Sequence, residues 1–305
     1  MVTYAFKSDY TPEIPDDESE KLSTTIKLSE VLAAGVRLEA SAFSIEAHNA
    51  VTALTNSDLP LIPLYGKEGL CQGGYYPHRF KRVYVSPEKG VPFLSSSEII
   101  SLRPKTNNFV SKNYTLKLDR LLPEKWDVLI SRSGTIGNIG LATETFIGNA
   151  LSEHVIRLQA NEPETAGYVA AFLRSRYGRP QLIQGTFGSV VDQIEPEHLE
   201  RVLIPDLPPI RRIEIGRLMC QAGELRDEAN HLLDEADRLL HERLNLPYLK
   251  DIALRGSASF TTTIKASQLM GRLEASFHNP EAIAAEKQLA KLPVEITKIG
   301  DQRVT

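Results

Sequence analysis

GGYYPHRFKR, Gly73 to Arg82, reads as a flexible loop that crowds Tyr75 and Tyr76 against Arg79, Lys81 and Arg82. Cations in such a setting neutralise phosphates, and an arginine fork also pairs with the acceptor edge of guanine. The stretch opens a wider basic region. Tyr75 to Arg132 carries eleven Lys/Arg, Arg103 and Lys105 among them, against five acids, a net +6 in 58 residues. The whole chain carries −4. The local excess therefore points to an anionic partner that the total conceals. Two polar loops add hydroxyls. One is Ser131-Arg132-Ser133-Gly134-Thr135; the other is QGTFGSV, Gln184 to Val190, with Thr186 and Ser189. Taken singly, each loop reads more readily as a structural turn than as a contact. Together, inside one basic domain, they are candidate DNA contacts.

Catalytic signals are missing from the chain. It has no G-x-G-x-x-G, no P-loop and no G-x-S-x-G elbow. Its seven histidines form no H-x-x-x-H or H-E-x-x-H pair, so no metal site is expected. The Pro-Pro-aromatic element with which an adenine methyltransferase grips a flipped base is also absent. SGTIGNIG, Ser133 to Gly140, lies between two strand-like runs and not at a strand-to-helix turn, which argues against a nucleotide site. Cys71 and Cys220 stand far apart without metal spacing, as in a reduced, cytoplasmic protein. The residues thus describe a binder rather than a catalyst.

The elements that must position these loops follow from patterning. Residues 1–22 form a polar arm with six acids and two lysines. Residues 23–207 read as a mixed α/β (α+β) domain. TTIKL opens it as a strand, and Ser29 caps a short helix in EVLAAG. Ala42 to Leu54 is a second helix. Apolar runs in LIPLYG, RVYVS, VPFLSS, DVLIS, IGLAT and HVIRL predict strands. Glu164 to Gly178 predicts a helix with Val169, Phe172 and Leu173 on one face, and Glu195–Arg201 a shorter one.

Residues 208–250 hold the clearest periodicity. Ile215, Leu218, Ala222, Leu225, Ala229, Leu232, Ala236, Leu239, Arg243 and Leu246 alternate in steps of three and four. This is a heptad seam, and it predicts a helix from about Arg211 to Leu244, roughly 50 Å long. Its apolar stripe needs a partner helix. Gly216 and Gly223 each weaken it by about 1 kcal/mol in propensity.

Residues 251–305 begin the chain's own opening again. TTIK at Thr24 returns at Thr262, and RLEAS at Arg37–Ser41 returns at Arg272–Ser276, an offset of 235. A period of that length is a whole domain plus a connector. The second copy reads as the incomplete start of such a domain.

The order WDVLISRSGTIGNIGLA, LSEHVIRL, GYVAAFLRSRYG, GTFGSVVDQIEPEHLERVLIPDLPP and then a long heptad helix resembles the specificity subunit of type I restriction-modification systems. The resemblance covers nearly all of residues 24–305. It implies a target recognition domain at 23–207, a coiled-coil spacer helix at 208–250 and the start of a second recognition domain at 251–305. It implies that the chain is no enzyme and reads one half of a split double-stranded DNA site. The implied partners are modification subunits, which methylate adenine with S-adenosylmethionine, and restriction subunits, which cleave DNA with ATP and Mg. No cofactor is expected on this chain. Since the second copy is cut short, the chain is either a fragment or a half-subunit that forms a homodimer through its heptad helix. Two rival expectations stand beside this one: a recognition module of another phage-defence complex, and a coiled-coil scaffold without DNA binding.

Overall fold

WDVLISRSGTIGNIGLA folds as a β-hairpin, and the rest of the first unit is built around it. The computed structural model describes residues 27–33, 43–71, 73–77, 79–184, 193–246, 264–269, 271–274 and 277–293. It divides into two compact units, Met1–Asp227 and Glu228–Thr305.

Among the described residues of the first unit, α1 (Leu28–Ala33) and α2 (Ile45–Thr55) precede nine strands. These are β1 (Leu61–Pro63), β2 (Gly73–Tyr75), β3 (Gly90–Leu94), β4 (Phe109–Ser111), β5 (Val128–Ser131), β6 (Ile139–Leu141), β7 (Ala150–Leu151), β8 (Val155–Gln159) and β9 (Leu203–Pro205). Between β8 and β9 lie α3 (Pro163–Arg174) and α4 (Arg179–Gln184). The central sheet runs β2-β8-β5-β6, antiparallel throughout, with Ile130 opposite both Ile156 and Ile139. A second sheet runs β4-β3-β7, its β3–β7 pair parallel, and β1 pairs with β9.

Strand alternation explains why every residue of β5 is buried. Val128 and Ile130 face one side and join Ile156, Leu158, Val169 and Leu173 in the main core. Leu129 faces the other side, with Leu94, Ile99, Phe146 and Val155. A strand covered on both faces reads as a continuous apolar run, as DVLIS does. The helix α2 starts where Ser44 accepts the Ala47 N–H at 3.3 Å, and it buries Ala47, Ala50 and Leu54.

The structure departs from the sequence reading at several elements. Ser29 lies inside the first turn of α1 rather than capping it. Thr24–Ile26 lie outside the described residues, and Lys27 is not in a strand. RVYVS runs beside β4 with one bridge, Tyr84 to Val110, bounded by Arg82 turning toward Glu153 and by Pro87. Gly73–Tyr75 is an edge strand rather than a loop, and Gly74 is needed there. A Cβ would sit 2.9 Å from the Tyr65 ring and 3.2 Å from Leu158. The helix expected to run to Gly178 stops at Arg174, and the short helix before β9 is a 3-10 helix, Pro196–Arg201.

The long helix α5 spans Pro209–Leu244, 36 residues or roughly 54 Å. Its glycines are not the weak points that propensity implies. Gly216, Cys220 and Gly223 are its buried residues, on the face turned toward the sheet-bearing domain. The heptad leucines point elsewhere: Leu218, Leu225, Leu232 and Leu239 are 64%, 56%, 55% and 39% exposed. Ile215 is half-buried, while Ala222, Ala229 and Ala236 are exposed. The helix thus carries two stripes, small residues against its own domain and an open leucine seam.

In the second unit, Arg238 pairs with Glu242 at 2.6 Å along α5. A 3-10 turn, Ala266–Gln268, and α6 (Pro280–Leu289) follow. At the 235-residue offset of RLEAS, α6 is the counterpart of α2, so the repeated sequence is also a repeated helix. His278 is buried, with its Nε2 2.7 Å from the Arg272 carbonyl.

Candidate nucleic-acid interface

A cleft of about 1050 Å³ opens between two segments of the first unit. One wall is Tyr75, Tyr76, Pro77, Arg79, Phe80 and Lys81, carried by the edge strand β2 and its continuation; the other is Tyr114, Leu116, Lys117, Arg120 and Leu121. Arg79, Lys81, Lys117 and Arg120 line it together with Tyr75, Tyr76, Phe80 and Tyr114, and no acid among the described residues does. All four cations are exposed, and none makes an ion pair among the described residues. Tyr114 is 73% and Leu116 83% exposed, so the far wall also presents apolar surface to solvent.

Packing below holds both walls. Phe80 meets Phe93 edge-on, with centroids 6.1 Å apart. Lys117 takes the left-handed conformation, φ 54°, and starts the 3-10 turn Leu118–Leu121. That turn is fastened from the sheet. Arg157 of β8 lies opposite Tyr75 of β2, and its guanidinium stacks 4.1 Å from the Tyr75 ring. Its two terminal nitrogens donate to the carbonyls of Arg120 and Leu122. Arg157 is 1% exposed and forms no ion pair among the described residues. Burial lowers its pKa to about 10, so it remains a cation at neutral pH. A buried, carboxylate-free charge under the cleft raises the potential within it.

The remaining sequence-predicted residues have other places. Arg82 Nη2 donates to both Glu153 carboxylate oxygens, 2.7 Å to each, and the guanidinium lies 5.0 Å from the Phe93 ring centroid. Burial acts to raise the Glu153 pKa, but the Arg82 bonds outweigh it and the carboxyl ends below its usual value. Arg132 was expected as an exposed loop cation, yet it is 6% exposed. It pairs with Glu195, donates to the Ile194 carbonyl at 3.1 Å and to Gln193 Oε1 at 3.0 Å, and stacks 4.0 Å from the Tyr76 ring. Ser131 is fully buried and donates to the Thr135 carbonyl inside the hairpin loop. Ser133, also buried, meets His154 Nδ1 at 2.5 Å. Of these three side chains only Ser131 bonds within the tight turn that Gly134 and Gly137 make at φ 78° and 80°, accepting also the Asn138 N–H at 3.0 Å, while Arg132 and Ser133 tie the loop to residues 193–195 and to His154. Thr135 stays exposed. Arg103 and Lys105 lie on the 101–108 segment, outside the lining of the cleft. Thr186 and Ser189 lie outside the described residues.

Of the expected contacts, the structure brings Tyr75, Tyr76, Arg79 and Lys81 together. It adds Phe80, Tyr114, Leu116, Lys117, Arg120 and, beneath them, Arg157. Lys117 and Arg120 were visible only as part of the basic excess. Arg157 had a sharper signal: a lone cation inside the apolar run HVIRL. No group of three or more His, Cys, Asp or Glu among the described residues is placed to hold a metal. No described helix is long and apolar enough to cross a membrane.

No family model and no curated protein matches the sequence. Among solved structures, the chain is similar to one from work on complex assembly and conformational transition of the type I R-M system. Identity is 19%, coverage 70% of this chain and 53% of that one, and the TM-score 0.42. It is similar to the HsdS subunit from Thermoanaerobacter tengcongensis at 21% identity, 67% and 50% coverage, and TM-score 0.39. The type I restriction-modification S subunit from M. genitalium is similar at 12% identity, 68% and 59% coverage, and TM-score 0.40. The chain spans between 50% and 59% of the length of these three.

Proposed function

We propose that this chain is a DNA-recognition subunit of the type I restriction-modification specificity kind. The observation that carries the reading is the cleft, with four cations that pair with no acid among the described residues and four aromatic rings above the buried Arg157. Phosphates supply the counter-charge, and the aromatic and arginine edges are the groups that contact bases. The five ordered sequence blocks support the same assignment.

In this reading the chain performs no chemistry. It reads one half of a bipartite double-stranded DNA site and directs adenine methylation and restriction by partner subunits. S-adenosylmethionine, ATP and Mg belong to those partners. The exposed seam of Leu218, Leu225, Leu232 and Leu239 pairs two chains, so the assembled site is an inverted repeat.

A salt titration of duplex binding, followed by fluorescence anisotropy, tests the core of this. Each phosphate contact contributes about 0.9 to the slope of log K against log salt. Lys81→Gln and Lys117→Gln should each lower the slope by about that amount. Unchanged slope and affinity in the double variant would refute the cleft as the interface. Methylation mapping in cells carrying the chain and its modification partner then gives the sequence and its symmetry.

A further inference from the structure

A second basic site lies elsewhere on the same unit, and nothing in the cleft explains it. The end of α3, the turn after it and the start of α4 bring Arg174, Arg176 and Arg179 around a pocket of about 360 Å³. Ser44, Ser175 and Glu46 complete its polar lining. All three arginines are exposed, and none makes an ion pair among the described residues. Glu46, the one acid of the lining, takes a 2.7 Å hydrogen bond from Ser44, which holds its carboxyl below the usual value. The Ser175 oxygen accepts from the Tyr177 and Gly178 N–H groups at 3.1 and 3.3 Å, which leaves its hydroxyl proton to donate.

Three cations against the single carboxylate of Glu46 leave the lining with a net positive charge that an entering anion neutralises. Three guanidinium forks and a hydroxyl are all donors, and several oxygens on one centre match them. A carboxylate presents two oxygens in one plane, whereas phosphate offers oxygens in several directions.

The pocket also has a definite relation to the cleft. The hairpin loop of residues 132–138 borders both. At one end, Arg132 stacks on Tyr76 of the cleft wall. At the other, a Cβ on Gly137 would lie 3.4 Å from Ile183 Cγ1 and 3.6 Å from Arg179 Cγ, two side chains of the pocket.

We propose that the Arg174–Arg176–Arg179 pocket binds a phosphate group of the nucleic-acid backbone beyond the segment held in the cleft. The choice of the backbone as source rests on the DNA reading above; the phosphate chemistry does not. The pocket clamps the backbone and sets register on the duplex, while the cleft contacts bases.

The test pairs two measurements on the full chain. Arg176→Gln/Arg179→Gln, two exposed positions, should keep the parent's thermal midpoint. It should bind duplex DNA at least roughly tenfold more weakly. Its salt slope should fall by about 0.9, additively with the cleft variant. In parallel, inorganic phosphate is titrated into ¹⁵N-arginine-labelled parent chain, and the side-chain Nε–H signals lost in the double variant should shift. A parent that binds DNA with affinity and slope untouched by the double variant overturns the proposal and leaves the cleft reading standing. Phosphate-dependent shifts in a parent that binds no DNA keep the phosphate site and reject the backbone as its source. Signals that ignore phosphate but shift with an acidic peptide overturn it in favour of a protein partner.

Discussion

Gly216→Ala is the perturbation on which helix propensity and packing disagree in sign. In an open helix the change stabilises by about 1 kcal/mol. Here a Cβ at Gly216 would lie 1.8 Å from the Glu164 carbonyl oxygen and 2.6 Å from its carbon, about 1.6 Å short of the 3.4 Å at which ordinary contact begins. The obstacle is backbone, so no rotamer change relieves it. The facing surface is equally tight, because a Cβ at Gly167 would meet the Gly216 carbonyl oxygen at 2.3 Å. Glycine on both helices brings the backbones of α3 and α5 into contact. Separating them loosens the Cys220 thiol from the Pro163 carbonyl, 3.3 Å away, and the half-buried Ile215 and Met219 from the main core. Overpacking of this kind destabilises by about 1–3 kcal/mol, and the rigid obstacle places this case at the upper end. After the propensity gain, a net loss of about 2 kcal/mol remains, a fall in Tm of roughly 4–8 °C. Gly223→Ala provides the internal contrast. Its Cβ would lie 2.6 Å from the Thr143 Cγ2 methyl, a side-chain contact. Thr143→Ser removes that methyl and retains the oxygen that Asp227 and Arg226 use. It should therefore rescue Gly223→Ala and leave Gly216→Ala unrescued. Thermal and urea unfolding of the single and double variants decide the matter. A Gly216→Ala chain that melts at or above the parent would refute the crossing geometry.

The other predictions concern the first unit's polar anchors and the open seam. Burial raises the Asp127 pKa to about 6, against an opposing 2.9 Å bond from the Glu124 N–H. Its folded-state pKa lies above the reference 3.8, so its contribution to stability is fully present below that value and is lost as pH rises through 6. The shift is worth roughly 3 kcal/mol; Asp127→Asn should remove that dependence and gain on the parent by about this much between pH 4 and 7 in urea midpoints. Asp227 accepts from the Glu144 and Thr145 N–H groups at 2.9 and 3.1 Å and from the Thr143 hydroxyl at 2.7 Å, and it neighbours Arg226. Asp227→Ala should destabilise by about 2 kcal/mol, with early hydrogen exchange at residues 143–146. Replacing both Leu225 and Leu232 with Asp should convert a dimeric chain to a folded monomer in sedimentation, since both side chains are exposed on the single chain, and should remove any dependence of its melting point on protein concentration; a parent that sediments as a monomer at micromolar concentration would count against pairing.

Several features were legible before any coordinates because they are local or periodic. The long helix follows from its heptads, and its observed start at Pro209 lies two residues before the expected Arg211. The buried strands follow from apolar runs of strand length, DVLIS and IGLAT on either side of SGTIGN among them. The repeat of RLEAS implied a repeated helix, and α2 and α6 are that pair. The basic excess located the right stretch of chain for a cleft, because charge accumulates along the sequence before it is distributed in space.

What only the tertiary structure decided is which member of each residue type faces solvent. Arg79 and Arg132 look equivalent in sequence. One lines the cleft, and the other is locked under Tyr76 by Glu195, a partner 63 residues away. Lys117 and Arg120 join Tyr75 across the cleft because Arg157 fastens their turn from another strand, which no local pattern encodes. Gly216 reads as a helix defect until Glu164 and Gly167 appear opposite it. Composition and period determined that the chain has a basic α/β domain and a long helix with an open seam. The long-range contacts, each made between residues far apart in the chain, determined which cations face the cleft and which are locked to a carboxylate beneath it.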